Sequence, residues 1–179
     1  VIFGVRGTTT ANWLHDAGYK NIDVLGCPSL HSYPASILSI DPAEALAKAG
    51  SARVMTAGYM KMWRDQPHPR GVDLVNAFKR IPASYVFQDE PFEFTDLREQ
   101  PGLYNDGNNE FDAGTLNAWF ARQGFPGGFQ RYYYFNEAGA WRHAALRHDV
   151  FIGDRFHGGV AALQAGLPAI FLFHDNRVA

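Results

Sequence analysis

The sequence predicts an α/β fold, a Rossmann-like lobe built on a mainly parallel sheet. Short apolar, β-rich segments alternate with helical ones along the chain, the pattern of βαβ units. One stretch, residues 149–173, spells out such a unit in full: strand, tight turn, helix, a glycine stop at Gly166 and a second strand. Apolar residues make up 46% of the 179 and charged residues 19%, the composition of a folded domain.

Taken in order, residues 1–5 are a short apolar strand and Arg6-Gly7 makes the turn that follows. Thr8 or Thr9 caps a helix reaching Ala17, which Gly18 ends. Residues 22–25 form a second strand, closed by Gly26-Cys27-Pro28-Ser29. Asp41 followed by Pro42 places a cap and then a proline in the first turn of a helix running to Lys48. A strand over 52–57, a helix over 72–80 and a strand over 84–87 come next. Turn-rich loops at 101–109 and 125–128 flank a helix at 113–123, where Leu116, Trp119 and Phe120 keep helical spacing. A strand at 131–135, a helix at 137–148 and a strand at 150–152 lead into the final unit. The expectation is one lobe over residues 1–179, with no internal repeat.

Bulk properties exclude several classes. A net charge of −2 lacks the electrostatic footprint of a nucleic-acid binder. The single cysteine, Cys27, rules out an internal disulfide and a multi-cysteine zinc site, and fits a reducing compartment. No apolar run approaches the length of a membrane span, and no signal peptide is expected. Beginning within a strand and stopping just after another, the chain is expected to be a piece of a longer protein. Lysine occurs only at Lys20, Lys48, Lys61 and Lys79, the other basic residues being arginine, whose two-pronged geometry suits carboxylates and phosphates.

The chemistry concentrates at Asp154-Arg155-Phe156-His157-Gly158-Gly159, where the last unit's helix begins. Helix N-termini carry unpaired N–H groups and the positive end of the helix dipole, so they attract anions. A permanent cation, a titratable imidazole and two small residues there suit an anion that must also exchange a proton. Each residue has a plainer reading by itself. Arg155 is a structural ion-pair partner, His157 caps its own helix, and the two glycines allow close packing on the sheet. Asp154 reads as the helix cap more readily than as an orienter of His157. It is the combination, directly after an apolar strand, that points to function. Arg6 also follows a strand, and in open parallel sheets ligands sit beyond the C-terminal strand ends, so both arginines are expected on that edge.

Other residues are given structural readings. Asp89-Glu90 reads as a solvated loop, an acid/base pair being the alternative. His174-Asp175 lines the cleft edge or forms a turn. His15, His31, His68, His143 and His148 are scattered and read as non-catalytic. Tyr132-Tyr133-Tyr134, Trp119 and Trp141 read as core, and Cys27 as a small buried residue. No HExxH, glycine-rich phosphate loop or GxSxG elbow occurs, so no metal or cofactor is expected.

Arg155-Phe-His-Gly158, followed by Ala161-Ala-Leu-x-Ala-Gly-Leu-Pro168, resembles the R-[LF]-H-G signature of the polysaccharide pyruvyl transferase family. Gly4-Val-Arg-Gly-x-x-Thr10, then a helix, a glycine and a strand ending in Gly26-Cys-Pro28, is similar to an earlier block of that family, in the same order. Many members have Asp where this chain has Cys27. The resemblance implies a GT-B-like architecture of two Rossmann-type lobes, of which this chain would supply the C-terminal, donor-binding one. It implies transfer of the pyruvyl group of phosphoenolpyruvate to sugar hydroxyls as a ketal, the acceptor being an exopolysaccharide, lipid-linked repeat or cell-wall glycopolymer. It implies donor binding by Arg6, Arg155 and His157; Phe156 and the Gly158 and Gly159 amides are expected to bind donor beside them, and His157 is expected to be the catalytic acid that protonates the methylene. The location implied is the cytoplasm, either free or peripheral at the inner face of the membrane. Two rivals stand beside it: a glycosyltransferase of the same architecture using a nucleotide sugar, and a non-catalytic Rossmann-like module that binds an anion or a partner protein.

Overall fold

The computed structural model describes residues 2–48 and 50–172, so His174 and Asp175 lie outside the described residues. In chain order the strands are β1 (Phe3–Val5), β2 (Ile22–Val24), β3 (Val54–Thr56), β4 (Met62–Trp63), β5 (Gln66–Pro67), β6 (Ala83–Phe87), β7 (Tyr104–Asn105), β8 (Glu110–Phe111), β9 (Arg131–Tyr134), β10 (Val150–Gly153) and β11 (Ala169–Phe171). The helices are α1 (Thr8–Asp16), α2 (Pro34–Leu38), α3 (Pro42–Ala47), α4 (Pro69–Phe78), α5 (Thr95–Arg98), α6 (Ala113–Arg122), α7 (Ala138–Ala145) and α8 (Phe156–Gln164), with short 3-10 turns at Pro28–His31 and Glu90–Glu93.

Seven strands form the main sheet in the order β11-β10-β3-β6-β9-β8-β7. The pairs β10–β11, β10–β3, β3–β6 and β6–β9 are parallel, as expected from the alternation of strands and helices. Strand β7, inside what reads in the sequence as a turn-rich loop, and β8, directly after that loop, add an antiparallel edge. Successive residues of β6 face opposite sides, so Tyr85 and Phe87 enter one core while Val86 enters the other. The first core is aromatic, with Phe87, Phe120 and Tyr132 stacked. The second packs Met55, Tyr133 and Phe151 under Ala162 of α8. Helices on both faces are what a parallel sheet requires. Trp119 and the Tyr132-Tyr133 pair are core residues, as their sequence context predicts.

Strands β1 and β2 do not join this sheet. They form a separate parallel pair, and Phe3, Val24 and Leu25 remain exposed. Helix α1 begins after Gly7, whose extended backbone serves as cap without any side-chain hydrogen bond, so neither Thr8 nor Thr9 caps it. Gly18 ends it at φ +92, a left-handed geometry that suits glycine. Asp41 does cap α3, its Oδ1 accepting from the Ala43 N–H at 2.8 Å. Helix α4 starts three residues before its apolar pattern does, because His68 Nδ1 caps Arg70 N–H and Pro69 fits the first turn. The β4–β5 hairpin turns through Arg64 and Asp65, both at positive φ, without the Asn or Gly that would announce such a turn.

Candidate functional site

The strand order locates the site before any side chain does. From β3 the sheet grows through β6 to β9; the chain then returns to the other side of β3 as β10 and continues to β11. The crevice between the C-terminal ends of β3 and β10 is therefore the topological switch point, where open α/β sheets bind ligands. Ala57-Gly58 leaves β3 there, and Asp154-Arg155 leaves β10. The two ends are joined by the Ala57 carbonyl, which accepts from Asp154 N–H at 3.1 Å and Arg155 N–H at 3.3 Å.

Arg155 is the N-cap of α8 by backbone geometry, with no side-chain cap. Asp154, read from sequence as the cap, is instead held by Arg70, whose Nε donates to Oδ2 at 3.1 Å and whose Nη2 completes the ion pair. A guanidinium from the first turn of α4 is a stronger partner than a backbone amide, and the chain leaves β10 so as to reach it. The Gly158 and Gly159 amides donate to the Arg155 carbonyl at 3.0 and 3.3 Å, within the first turn of the helix. Both glycines are required by packing. A Cβ on Gly158 would lie 2.9 Å from Phe151 Cζ, and one on Gly159 would run into the Phe171 ring. The plainer sequence reading of this pair is thus the one the structure displays.

Arg155 lies over the switch point, its side chain 21% exposed. Its Nε donates to Gly58 O at 2.8 Å, and its Nη2 donates to Asp89 Oδ1 at 2.7 Å and Glu90 Oε1 at 3.0 Å. Burial opposes its charge, but Glu90 and Asp89 outweigh burial and hold its pKa above the ordinary arginine value. Glu90, expected on a solvated loop, is fully buried. It accepts from Arg155, from Tyr85 OH at 2.9 Å and from Gln88 N–H at 2.8 Å, and a carboxylate with three donors can stay buried. Tyr85 OH in turn accepts from Gly58 N–H and Met60 N–H. Burial and the Glu90 charge push the Tyr85 phenol well up, so it remains a donor.

Lys61 extends this web. Its Nζ binds Asp89 Oδ2 at 3.0 Å and also Glu93, and these carboxylates raise its pKa against the effect of burial. Conversely, burial works against ionisation of Asp89, but Lys61 and Arg155 hold its pKa below the usual carboxylate value. Tyr59 packs among the cations, its ring centroid 4.7 Å from Arg70 Cζ and 5.4 Å from both Arg155 Cζ and Lys61 Nζ. Sequence reading passed over Tyr59, Lys61, Arg70 and Tyr85. Asp89-Glu90 follow a parallel strand directly, so the rule that placed Arg155 on the ligand edge would have placed them there too.

Arg6 reaches the site from elsewhere. It follows β1, which belongs to the separate pair, so it does not lie on the edge of the main sheet as expected. Its guanidinium nevertheless sits 5.2 Å from the centre of the Phe156 ring, at the mouth of α8. Phe156 is half-buried, against Phe171 on one side and the His157 ring on another. His157 is exposed in the first turn. Cys27 is buried near the same place. Burial opposes its ionisation, but the Ser29 hydroxyl and amide and the Arg6 charge together lower its pKa. Arg6, Phe156, His157 and Arg155 thus gather around one helix mouth. Among the described residues no three His, Cys, Asp or Glu side chains cluster to hold a metal ion, and no helix is long and apolar enough to cross a membrane.

Compared with protein families, residues 1–176 match the model described as Polysaccharide pyruvyl transferase. No curated protein and no solved structure matches the chain.

Proposed function

The chain belongs to the polysaccharide pyruvyl transferase family, and from that premise we propose that it uses phosphoenolpyruvate as donor and forms a pyruvyl ketal on a sugar of an exopolysaccharide or cell-wall glycopolymer. One observation carries the reading. Arg6 of the first sequence block and Phe156 of the second, about 150 residues apart in the chain, meet beside the switch point of the sheet.

Phosphoenolpyruvate carries a carboxylate and a phosphate, so its pocket needs positive charge at two places. Arg155 supplies one, over the switch point, and Arg6 the other, at the helix mouth. A sugar hydroxyl adds to C2 of the enol while His157 gives a proton to C3, so that the methylene becomes a methyl group. The imidazole left neutral then takes the proton from the added hydroxyl. Phosphate departs with the C2–O bond electrons, and a second sugar hydroxyl attacks C2 and gives its proton to that phosphate to close the ketal. The products are the cyclic ketal and inorganic phosphate, and the atoms balance. Exposure of His157 gives a bulky acceptor access to the reacting carbon.

The exposed apolar residues of the β1–β2 pair support a two-lobe reading. A two-stranded parallel sheet is not a stable unit alone, and its open faces suit a second sheet that would hold the acceptor. The place of work would be the inner face of the membrane, where lipid-linked acceptors lie.

Thermal unfolding with phosphoenolpyruvate, inorganic phosphate and a nucleotide sugar tests the donor. At about 100 times its dissociation constant the true donor adds roughly 2.7 kcal/mol of stability. The expected result is a shift with phosphoenolpyruvate alone, lost in the exposed variant Arg6→Ala. A shift with the nucleotide sugar alone would replace this reading by a glycosyltransferase. In the intact protein His157→Asn should keep the shift and lose turnover.

A further inference from the structure

Asp89 occupies an unusual position between two cations. Its Oδ1 accepts from Arg155 Nη2 at 2.7 Å and its Oδ2 from Lys61 Nζ at 3.0 Å, so one carboxylate bridges both. The cations lie inside and the anion outside: the Lys61 and Arg155 side chains are 11% and 21% exposed, and that of Asp89 is 56% exposed. An anion arriving from solvent therefore meets Asp89 first, with the two positive groups behind it. Those groups do not depend on Asp89 for their places. Arg155 is held by the Gly58 carbonyl and by fully buried Glu90, Lys61 is held by Glu93, and both pack on the Tyr59 ring. If Asp89 swings away, what remains is a pair of oriented cations spaced to receive a carboxylate.

We infer that Asp89 is an internal stand-in for the donor's carboxylate, and that Lys61 is a further donor-binding residue, bridged with Arg155 by that carboxylate once Asp89 is displaced. This rests on the donor reading above and adds to it a residue and a direction of effect. The two ends of the donor are then sorted, with the carboxylate between Lys61 and Arg155 and the phosphate toward Arg6 and the mouth of α8. Removing a competitor tightens binding, whereas removing a purely structural ion pair loosens it or leaves it unchanged. The sign of one substitution thus separates the two roles.

The test is calorimetric titration of phosphoenolpyruvate and of inorganic phosphate into the wild type, Asp89→Asn and Lys61→Met, with urea unfolding to show that each is folded. Asp89→Asn should bind phosphoenolpyruvate about fivefold more tightly, the scale set by displacing one exposed ion pair. It should do so while being no more stable than the wild type. Lys61→Met should bind it about fivefold more weakly. Phosphate, which has no carboxylate, should bind both the wild type and Asp89→Asn alike. Unchanged or weaker phosphoenolpyruvate binding by Asp89→Asn would overturn the inference and leave the donor reading intact, provided the wild type binds and Arg6→Ala does not. No binding to any folded form would overturn both.

Discussion

The two ends of the main sheet carry similar side chains and arrange them differently. At the N-terminal end, Arg53 clasps Asp149 with Nε, Nη2 and its own backbone N–H, at 2.9, 3.1 and 2.9 Å. Arg131 pairs with Glu110 at 3.0 Å, and His148 lies between Ser84 and the Ala144 carbonyl. These contacts complete a strand end. At the C-terminal end Arg70 and Asp154 close as a pair, but the groups around Arg155 do not. Glu90 is shared by Arg155, Tyr85 and Gln88, Asp89 by Arg155 and Lys61, and Lys61 by Asp89 and Glu93. The density of charge does not distinguish a site from a scaffold here; sharing does. A shared group can lose one partner and stay in place, which a binding site must do each time a ligand arrives.

The sharpest way to break the contrast is to remove the centre of the shared web. Glu90→Ala takes the shared acceptor from fully buried Tyr85 and from largely buried Arg155 and should cost about 3 kcal/mol of stability, read from urea unfolding. It should also abolish the shift with phosphoenolpyruvate, because Arg155 loses the group that fixes it over the switch point. A loss of stability under about 1 kcal/mol would put Glu90 in the same class as an exposed pair and remove the contrast.

How much of this could be read beforehand depends on the range of the interaction. The parallel strands, the helix from 113 and the glycine stops were legible because periodicity and turn chemistry are local. The Arg155–His157 stretch was legible for the same reason, since it sits in one strand–turn–helix unit. The β4–β5 hairpin was not, since Arg64 and Asp65 adopt positive φ with no glycine to signal it. Burial of Glu90 was not read either: its compensating cation is 65 residues away, and only the sheet order brings them together. Arg6 is expected on the edge of the main sheet but reaches Phe156 from the separate β1–β2 pair, because a strand–turn pattern does not say which sheet a strand joins.

The glycines of α8 sharpen the contrast at the level of packing. Gly159→Ala drives a methyl group into the Phe171 ring, and overpacking of this kind should cost about 2 kcal/mol. The cost should fall on α8 as a unit, displacing Phe156 and with it the seat of Arg6. Binding of phosphoenolpyruvate should therefore weaken together with stability. Adding Phe171→Leu makes room and should recover much of both, whereas a clash of the added methyl group with the ligand itself would not be relieved by it.

The smallest effect belongs to the N-terminal end and concerns pH. The Ala144 carbonyl can only accept, so His148 Nδ1 carries a proton, and in the neutral ring Nε2 accepts from the Ser84 hydroxyl. Burial first, and then the Arg53 and Arg131 charges, lower the pKa of His148, against the pull of Ala144 O and Asp149. With a folded pKa below that of the unfolded chain, the unfolded state binds the extra proton first. The stability that neutral His148 contributes is therefore complete above about pH 6.5 and is lost as pH falls below it. Asp149 titrates far lower, at about 2, and stays charged throughout this window. Urea midpoints at pH 7 and pH 5 should show a modest acid loss in the wild type that shrinks in His148→Gln. Binding of phosphoenolpyruvate at pH 7 should be equal in the two proteins, since His148 and the switch point lie at opposite ends of the strands. A variant that loses donor binding without unfolding would show that the two ends are coupled through β10, and the separation drawn between scaffold and site would fail.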